Sequence, residues 1–140
     1  MRPATIGALA KATGVKVPTI RYYEEIGLMP EAERSAANRR LYGAAAFARL
    51  GFIRHARELG FDIEEIRGLI ALSGDPEQPC AELDRIARDH LARIDSRLAR
   101  LTRLRGEVAR MVDACSHGRV GECRVLEVLS DHGECASEIH

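Results

Sequence analysis

The sequence contains no tryptophan, and aromatic residues make up only 4% of it. A β-sandwich core built on large aromatics is therefore disfavoured. A core of Leu, Ile, Val and Ala points instead to helices. No apolar run approaches the ~20 residues needed to span a membrane, so no membrane partner is expected. No signal-peptide pattern opens the chain: Met1-Arg2-Pro3-Ala4-Thr5 leads straight into an amphipathic pattern, which implies a cytoplasmic protein. In that compartment the four cysteines should be reduced. Reduced cysteines at special positions are metal ligands, redox sensors or ordinary buried residues. Enzymatic apparatus is also lacking. No paired carboxylates, Ser/His/Asp set or phosphate loop stands out, and His55 and His90 fall on helices without evident partners. An enzyme is not expected.

A net charge is absent as well, but the zero balance conceals an asymmetry. Residues 1–60 hold ten Lys/Arg against five Asp/Glu, whereas residues 61–140 hold eleven against sixteen. A basic first half suggests a polyanionic partner, which an acidic second half should avoid.

What is present is a run of helix signals. Thr5 to Ala12 reads as a short helix with Ile6, Leu9 and Ala10 inward, stopped by Thr13-Gly14. Pro18 suits the first turn of a second helix, Pro18 to Ile26, ended by Gly27. Two short helices across a glycine-containing turn are the helix-turn-helix pattern. The polar stretch Glu31 to Arg40, flanked by Leu28-Met29-Pro30 and Leu41-Tyr42, suits a small β-hairpin, or wing. Gly43 to Leu59 repeats Phe47, Leu50, Ile53 and Ala56 at helical spacing. Asp62-x-x-Glu65 is an N-capping arrangement for a fourth helix carrying Ile63, Ile66, Leu69 and Ile70.

From Cys80 to about Ala114 the pattern is one long helix. Leu83, Ala87, His90/Leu91, Ile94, Leu98, Leu101, Leu104, Val108 and Met111 form a narrow apolar seam of the coiled-coil kind. Its remaining positions interleave Arg with Asp and Glu, which reads as a solvated mixed-charge face rather than a second DNA surface. Cys115 and Cys123 then bracket a loop containing Gly118 and Gly121, and Val125 to Leu129 suits a short helix.

A loop of this kind can bring two sulfurs onto one ion, and thiolates prefer soft or borderline ions. Cys80 opens the long helix that Cys115 closes, so a continuous helix holds them ~50 Å apart at ~1.5 Å per residue. They cannot share a site within one chain. They can do so if two helices pair antiparallel, as the apolar seam predicts for a homodimer. The bland alternative is that Cys80 merely caps or packs. Two thiolates neutralise a divalent ion, and a third leaves one negative charge for His117, Arg119 and loop N–H groups to absorb. Three cysteines therefore favour a divalent ion. His117 and Cys135 are further candidate ligands.

These segments together resemble the MerR family of transcription activators. The resemblance is carried by Ile6-Gly7-x-Leu9-Ala10-Lys11, Thr19-Ile20-Arg21-Tyr22-Tyr23-Glu24, Gly27-Leu28, Asn38-x-Arg40-Leu41-Tyr42, Phe52-Ile53-Arg54 and Leu59-Gly60-Phe61. It implies a mainly α fold: a winged helix-turn-helix DNA-binding lobe, a two-helix connector and a long antiparallel coiled-coil dimerisation helix. Read onto this chain, residues 1–72 are the DNA-binding domain with connector helices, 73–79 a hinge loop, and 80–114 the dimerisation helix. Residues 115–131 are then the metal-binding loop and short helix, and 132–140 a flexible tail. The resemblance also implies DNA contacts from Arg21 and Tyr22 on the recognition helix and from Arg34, Asn38, Arg40 and Tyr42 on the wing. Arg suits phosphates or guanine edges, and Tyr can offer its hydroxyl to phosphate. Tyr23 is left to the core, and Arg39 stands where relatives often have an aromatic.

Metal sensors of this family bind double-stranded promoter DNA and distort it when metal arrives, so that RNA polymerase can engage both promoter elements. Copper, silver and gold sensors have Ser at the position of Cys80, whereas zinc, cadmium, lead and mercury sensors have Cys. Zinc sensors commonly add a second Cys where this chain has Ser116, and mercury sensors usually have a slightly longer loop. Lead sensors can carry a Cys near Gly14-Val15, where this chain has none. The resemblance thus implies a ligand set of Cys80, Cys115 and Cys123 for a divalent ion, with Cd or Pb ahead of Zn and Hg. The competing readings are a thiol- or redox-responsive regulator, which in this family would carry a denser cysteine cluster, and a cytoplasmic metal buffer, which would lack the basic recognition half.

Overall fold

The computed structural model describes residues 3–114, 118–120 and 124–130. In chain order the elements are α1 (Ile6–Thr13), α2 (Val17–Glu25), β1 (Glu33–Arg34), β2 (Arg40–Leu41), α3 (Ala44–Glu58), α4 (Ile63–Ser73), α5 (Ala81–Asp113) and α6 (Arg124–Ser130). The chain divides into two compact units, Met1–Ile86 and Ala87–His140.

Local chemistry sets the boundaries in the first unit. The Thr5 hydroxyl accepts the Ala8 N–H at 3.2 Å and starts α1. At its end Gly14 takes φ 73°, a left-handed conformation suited to glycine, and donates its N–H to the Ala10 carbonyl. Pro18 sits in the first turn of α2, where its missing N–H costs nothing. Gly27, at φ 77°, turns the chain out of that helix. The capping box expected at α4 is present: Asp62 accepts the Glu65 N–H at 2.8 Å, and Glu65 accepts the Asp62 N–H at 3.0 Å.

These helices close over one apolar core. Leu9 from α1, Ile20 and Tyr23 from α2, Leu28 and Met29 from the following turn, Leu50, Ile53 and Ala56 from α3, and Ile66 from α4 are all buried. The wing hairpin pairs antiparallel, Glu33 with Leu41 and Arg34 with Arg40. Beyond it, Tyr42 and Ala4 exchange two backbone hydrogen bonds of 2.8 Å. The wing root is therefore stitched to the segment that precedes α1.

Arginines add a second layer of fixing. Arg49 on α3 and Arg67 on α4 donate to the carbonyls of Leu28 (3.3 Å) and Ile26 (2.9 Å), where the chain leaves α2. Arg54 donates to the Thr13 carbonyl at the end of α1. Cations here meet the negative end of a helix dipole and satisfy carbonyls that have lost their helical partners. Part of the positive charge counted in the first half is thus internal scaffolding rather than a surface for a polyanion.

α5 is a single helix of 33 residues, ~50 Å long at ~1.5 Å per residue. In the second unit Leu91, Leu98, Leu101, Val108 and Val112 along it are more than half exposed. Met111 is its one buried apolar residue among those described, alongside the buried polar His90 and Glu107. Glu107 pairs with Arg110 one turn further on. No helix among the described residues is long and apolar enough to cross a membrane.

Candidate nucleic-acid interface and metal centre

The side chains expected to meet DNA separate into two groups. Arg21 and Tyr22 project from α2 into solvent, with Tyr22 50% exposed, while the next residue, Tyr23, turns into the core. One turn of α2 carries both faces, as helical periodicity requires. Arg34 and Asn38 are exposed on the wing, and Arg40 is partly exposed.

Tyr42 departs from the expectation that it lies on the DNA face. It is 2% exposed, and its hydroxyl donates to Oε1 of Glu24 on α2. The phenol therefore faces the recognition helix from behind rather than the solvent. Burial, followed by the bond to Glu24, pushes its pKa up to about 12. The other oxygen of that carboxylate, Oε2, lies 4.0 Å from Arg40 Nη1.

Asn38 has a backbone role of its own. It adopts φ 62°, the left-handed region in which Asn is the best tolerated residue after glycine. Its N–H donates to the Ser35 carbonyl at 2.9 Å, and its carbonyl accepts from Arg34 Nη1 at 3.1 Å. Asn38 thus shapes the wing turn whatever else its side chain does.

Two clefts lie between α2 and the wing. One, of about 490 Å³, is lined by Thr5, Ile6, Arg21, Arg34, Asn38, Arg39 and Arg40, with no carboxylate. The other, of about 370 Å³, shares Arg21, Arg34 and Arg40 but is rimmed by Glu24, Glu25 and Glu31. An anionic backbone is attracted to the first and repelled from the rim of the second. Arg39 joins Arg21 in the carboxylate-free cleft, a position that a single-residue comparison with family patterns did not indicate. The clue available in the sequence was its place directly beside Arg40 in a short hairpin, where neighbouring residues both lie near the tip.

Of the candidate metal ligands, Cys80 is described, and it is a free, exposed thiol in the residue before α5. Cys115, Cys123, His117 and Cys135 lie outside the described residues. Among the described residues no three His, Cys, Asp or Glu side chains gather as a metal site.

A helix-turn-helix pair with an arginine-bearing recognition helix, a two-stranded wing and a long carboxy-terminal helix defines a winged helix-turn-helix DNA-binding regulator. Comparison with known proteins carries this further. Residues 4–72 match the family model for the MerR HTH family regulatory protein, and residues 47–111 that for MerR, DNA binding. The chain is 41% identical over 128 residues to the HTH-type transcriptional regulator ZntR of Escherichia coli (strain K12), covering 89% of this chain and 90% of that one. It is 36% identical over 130 residues to the mercuric resistance operon regulatory protein of Serratia marcescens, covering 93% and 88%. Among solved structures, that of the transcription regulator PbrR691 from Ralstonia metallidurans CH34 in complex with lead(II) superposes with a TM-score of 0.77 at 36% identity, covering 92% of this chain and 98% of that one. The chain belongs to the MerR family. It is a DNA-binding transcription regulator and not an enzyme.

Proposed function

We propose that this chain is a metal-responsive regulator that binds double-stranded promoter DNA as a homodimer and activates a metal resistance or efflux promoter when a divalent soft metal ion arrives. The observation that carries the DNA half of this reading is the carboxylate-free cleft where Arg21, Arg34, Arg39 and Arg40 converge beside the recognition helix. Phosphate oxygens fit such a set, because guanidinium groups can grip them with paired, charge-assisted hydrogen bonds. Tyr22, exposed next to Arg21, offers a hydroxyl to the same backbone. A relative named for mercuric resistance and a similar structure in complex with lead(II) support the metal half.

Cys80, Cys115 and Cys123 would hold the ion, with His117 and Cys135 as further candidates. The exposed Cys80 thiol fits a ligand that reaches a site completed by another copy. Cys80 is separated from the Cys115–Cys123 segment by α5, so it would serve the partner's loop in an antiparallel pair. The exposed apolar residues of α5 would form the seam of that pair. Cys80 of one subunit and the loop cysteines of the other would hold the ion, whose charge would favour their thiolate forms and so tie metal binding to pairing of the chains. Distortion of the operator by that linked dimer would then bring both promoter elements within reach of RNA polymerase. Such a protein works where promoter DNA is, in the cytoplasm. Cd or Pb is favoured over Zn and Hg, because Cys80 sets the divalent class while Ser116 lacks the extra thiol expected of a zinc site.

The test is promoter-dependent transcription in a competition titration across Zn, Cd, Pb, Hg, Cu and Co. Induction by Cd or Pb at the lowest free concentration is expected, and Cys115→Ser should abolish induction while promoter binding survives. Loss of promoter binding with an intact metal response would overturn the reading.

A further inference from the structure

We propose that Glu24 is a positioning residue that locks the wing to the recognition helix, so that Arg21 and the wing arginines meet one stretch of duplex backbone as a single rigid unit. The proposal rests on the DNA-binding reading above and deepens it.

A carboxylate is a poor choice for a face meant to attract phosphate. Glu24 stands one helical turn after Arg21, yet its side chain is only 10% exposed. Both of its oxygens have partners at the wing root: Oε1 accepts the Tyr42 hydroxyl, and Oε2 faces Arg40. Tyr42 and Arg40 flank Leu41 at the end of the hairpin. Tyr42 is in turn fixed by its two backbone bonds to Ala4, just ahead of the Thr5 cap of α1. One side chain of α2 thereby ties together the recognition helix, the second wing strand and the start of the helix-turn-helix.

This geometry matters because the wing has little else to hold it. Its strands are two residues each and expose Glu33 and Arg34. An isolated hairpin of that size is marginal at best in water. Without the Glu24 strut, the Ala4–Tyr42 bonds would still hold the wing root to the segment ahead of α1, but Arg34, Arg39 and Arg40 would lose this direct tie to the helix that carries Arg21. A buried carboxylate that accepts from a buried hydroxyl is directional and costly to break, which suits it to fixing an angle.

The experiment measures how duplex affinity depends on salt, with DNA protection mapping, for the full-length wild type, Glu24→Ala, Glu24→Gln and Tyr42→Phe. The probe is a duplex selected from a randomised library by the wild-type chain. If the strut sets the wing, Glu24→Ala and Tyr42→Phe lower the slope of log affinity against log salt by ~0.9 for each phosphate contact that the wing gives up. Protection at the edges of the site fades while that under the recognition helix persists. Glu24→Gln, whose amide oxygen still accepts from Tyr42, recovers most of the slope. A merely structural role predicts instead a wild-type slope and a uniform loss of protection that follows the unfolded fraction, and that result overturns the proposal. So do wild-type slopes and protection in both Glu24→Ala and Tyr42→Phe. If Glu24→Ala does not fold, Tyr42→Phe, which removes a single oxygen, decides. A wild type that selects no duplex brings down the DNA reading itself, which distinguishes that failure from failure of the strut alone.

Discussion

The two units of this chain solve the burial problem differently. In the first, α1 to α4 all contribute to one closed core, and Leu9, Ile20, Leu50, Ile53 and Ile66 have no exposed surface. In the second, the part of α5 beyond Ile86 presents Leu98 and Leu101 at 56% and 61% exposure. A stripe of that kind is not a finished surface, because each of these leucines, a little over half exposed, forgoes roughly half of the ~1.5–3 kcal/mol that full burial brings. The contrast teaches where each function resides. The first unit can position its arginines with one chain. The second exposes an apolar face that another copy would cover, and the proposed metal ligands divide between chains on that same footing.

Substitutions can break that contrast. Ile53→Ala, in the closed core, should cost ~2–5 kcal/mol of stability, read as a lower denaturant midpoint. Leu98→Glu together with Leu101→Glu should leave the fold of the first unit unchanged and convert dimer to monomer in sedimentation. If instead the paired change unfolds the first unit, or leaves the dimer intact, the division of labour is wrong. Tyr42→Phe removes the hydroxyl that Glu24 Oε1 accepts from, leaving that carboxylate only Arg40, and should cost ~1–3 kcal/mol. The same residue predicts an alkaline signature. Its folded pKa is raised from 10.0 to about 12. Between these values the unfolded chain has already released a proton that the folded chain retains, so stability should fall as pH rises through that window. In Tyr42→Phe this contribution to the slope should vanish. The smallest effect is expected at the wing turn. Asn38→Ala pays ~1–2 kcal/mol for a left-handed backbone, whereas Asn38→Gly keeps the turn and removes only the side chain. Equal losses of DNA affinity in both variants would assign Asn38 a direct contact, whereas loss in Asn38→Ala alone would assign it the turn.

Helices were legible in the sequence because their signals are local. Asp62 and Glu65 cap where the pattern places them, and Gly14 and Gly27 take the left-handed conformations that stop α1 and α2. Separating Tyr22 from Tyr23 was legible too, since adjacent helical residues point ~100° apart. The inward turn of Tyr42 was not legible, because a strand of two residues has no period from which to read a face. Nor could composition reveal that Arg49, Arg54 and Arg67 serve backbone carbonyls rather than a partner. Both depend on contacts between residues distant in sequence. The role of Glu24 was hidden for the same reason, since its partners lie 16 and 18 positions away. For the proposed metal centre the sequence offers candidate donors, and the length of α5 is the reason to propose dividing them between two chains.

That division is the central claim, and mixed dimers test it most directly. Cys80→Ser and Cys115→Ser homodimers should each fail to hold the ion at their thiolate sites. A heterodimer of the two variants retains one intact set, Cys80 from the Cys115→Ser chain with Cys115 and Cys123 from the Cys80→Ser chain. Metal titration of purified heterodimer should therefore recover half of the wild-type thiolate-bound stoichiometry, with wild-type affinity. A heterodimer that binds no metal would contradict a site shared between subunits.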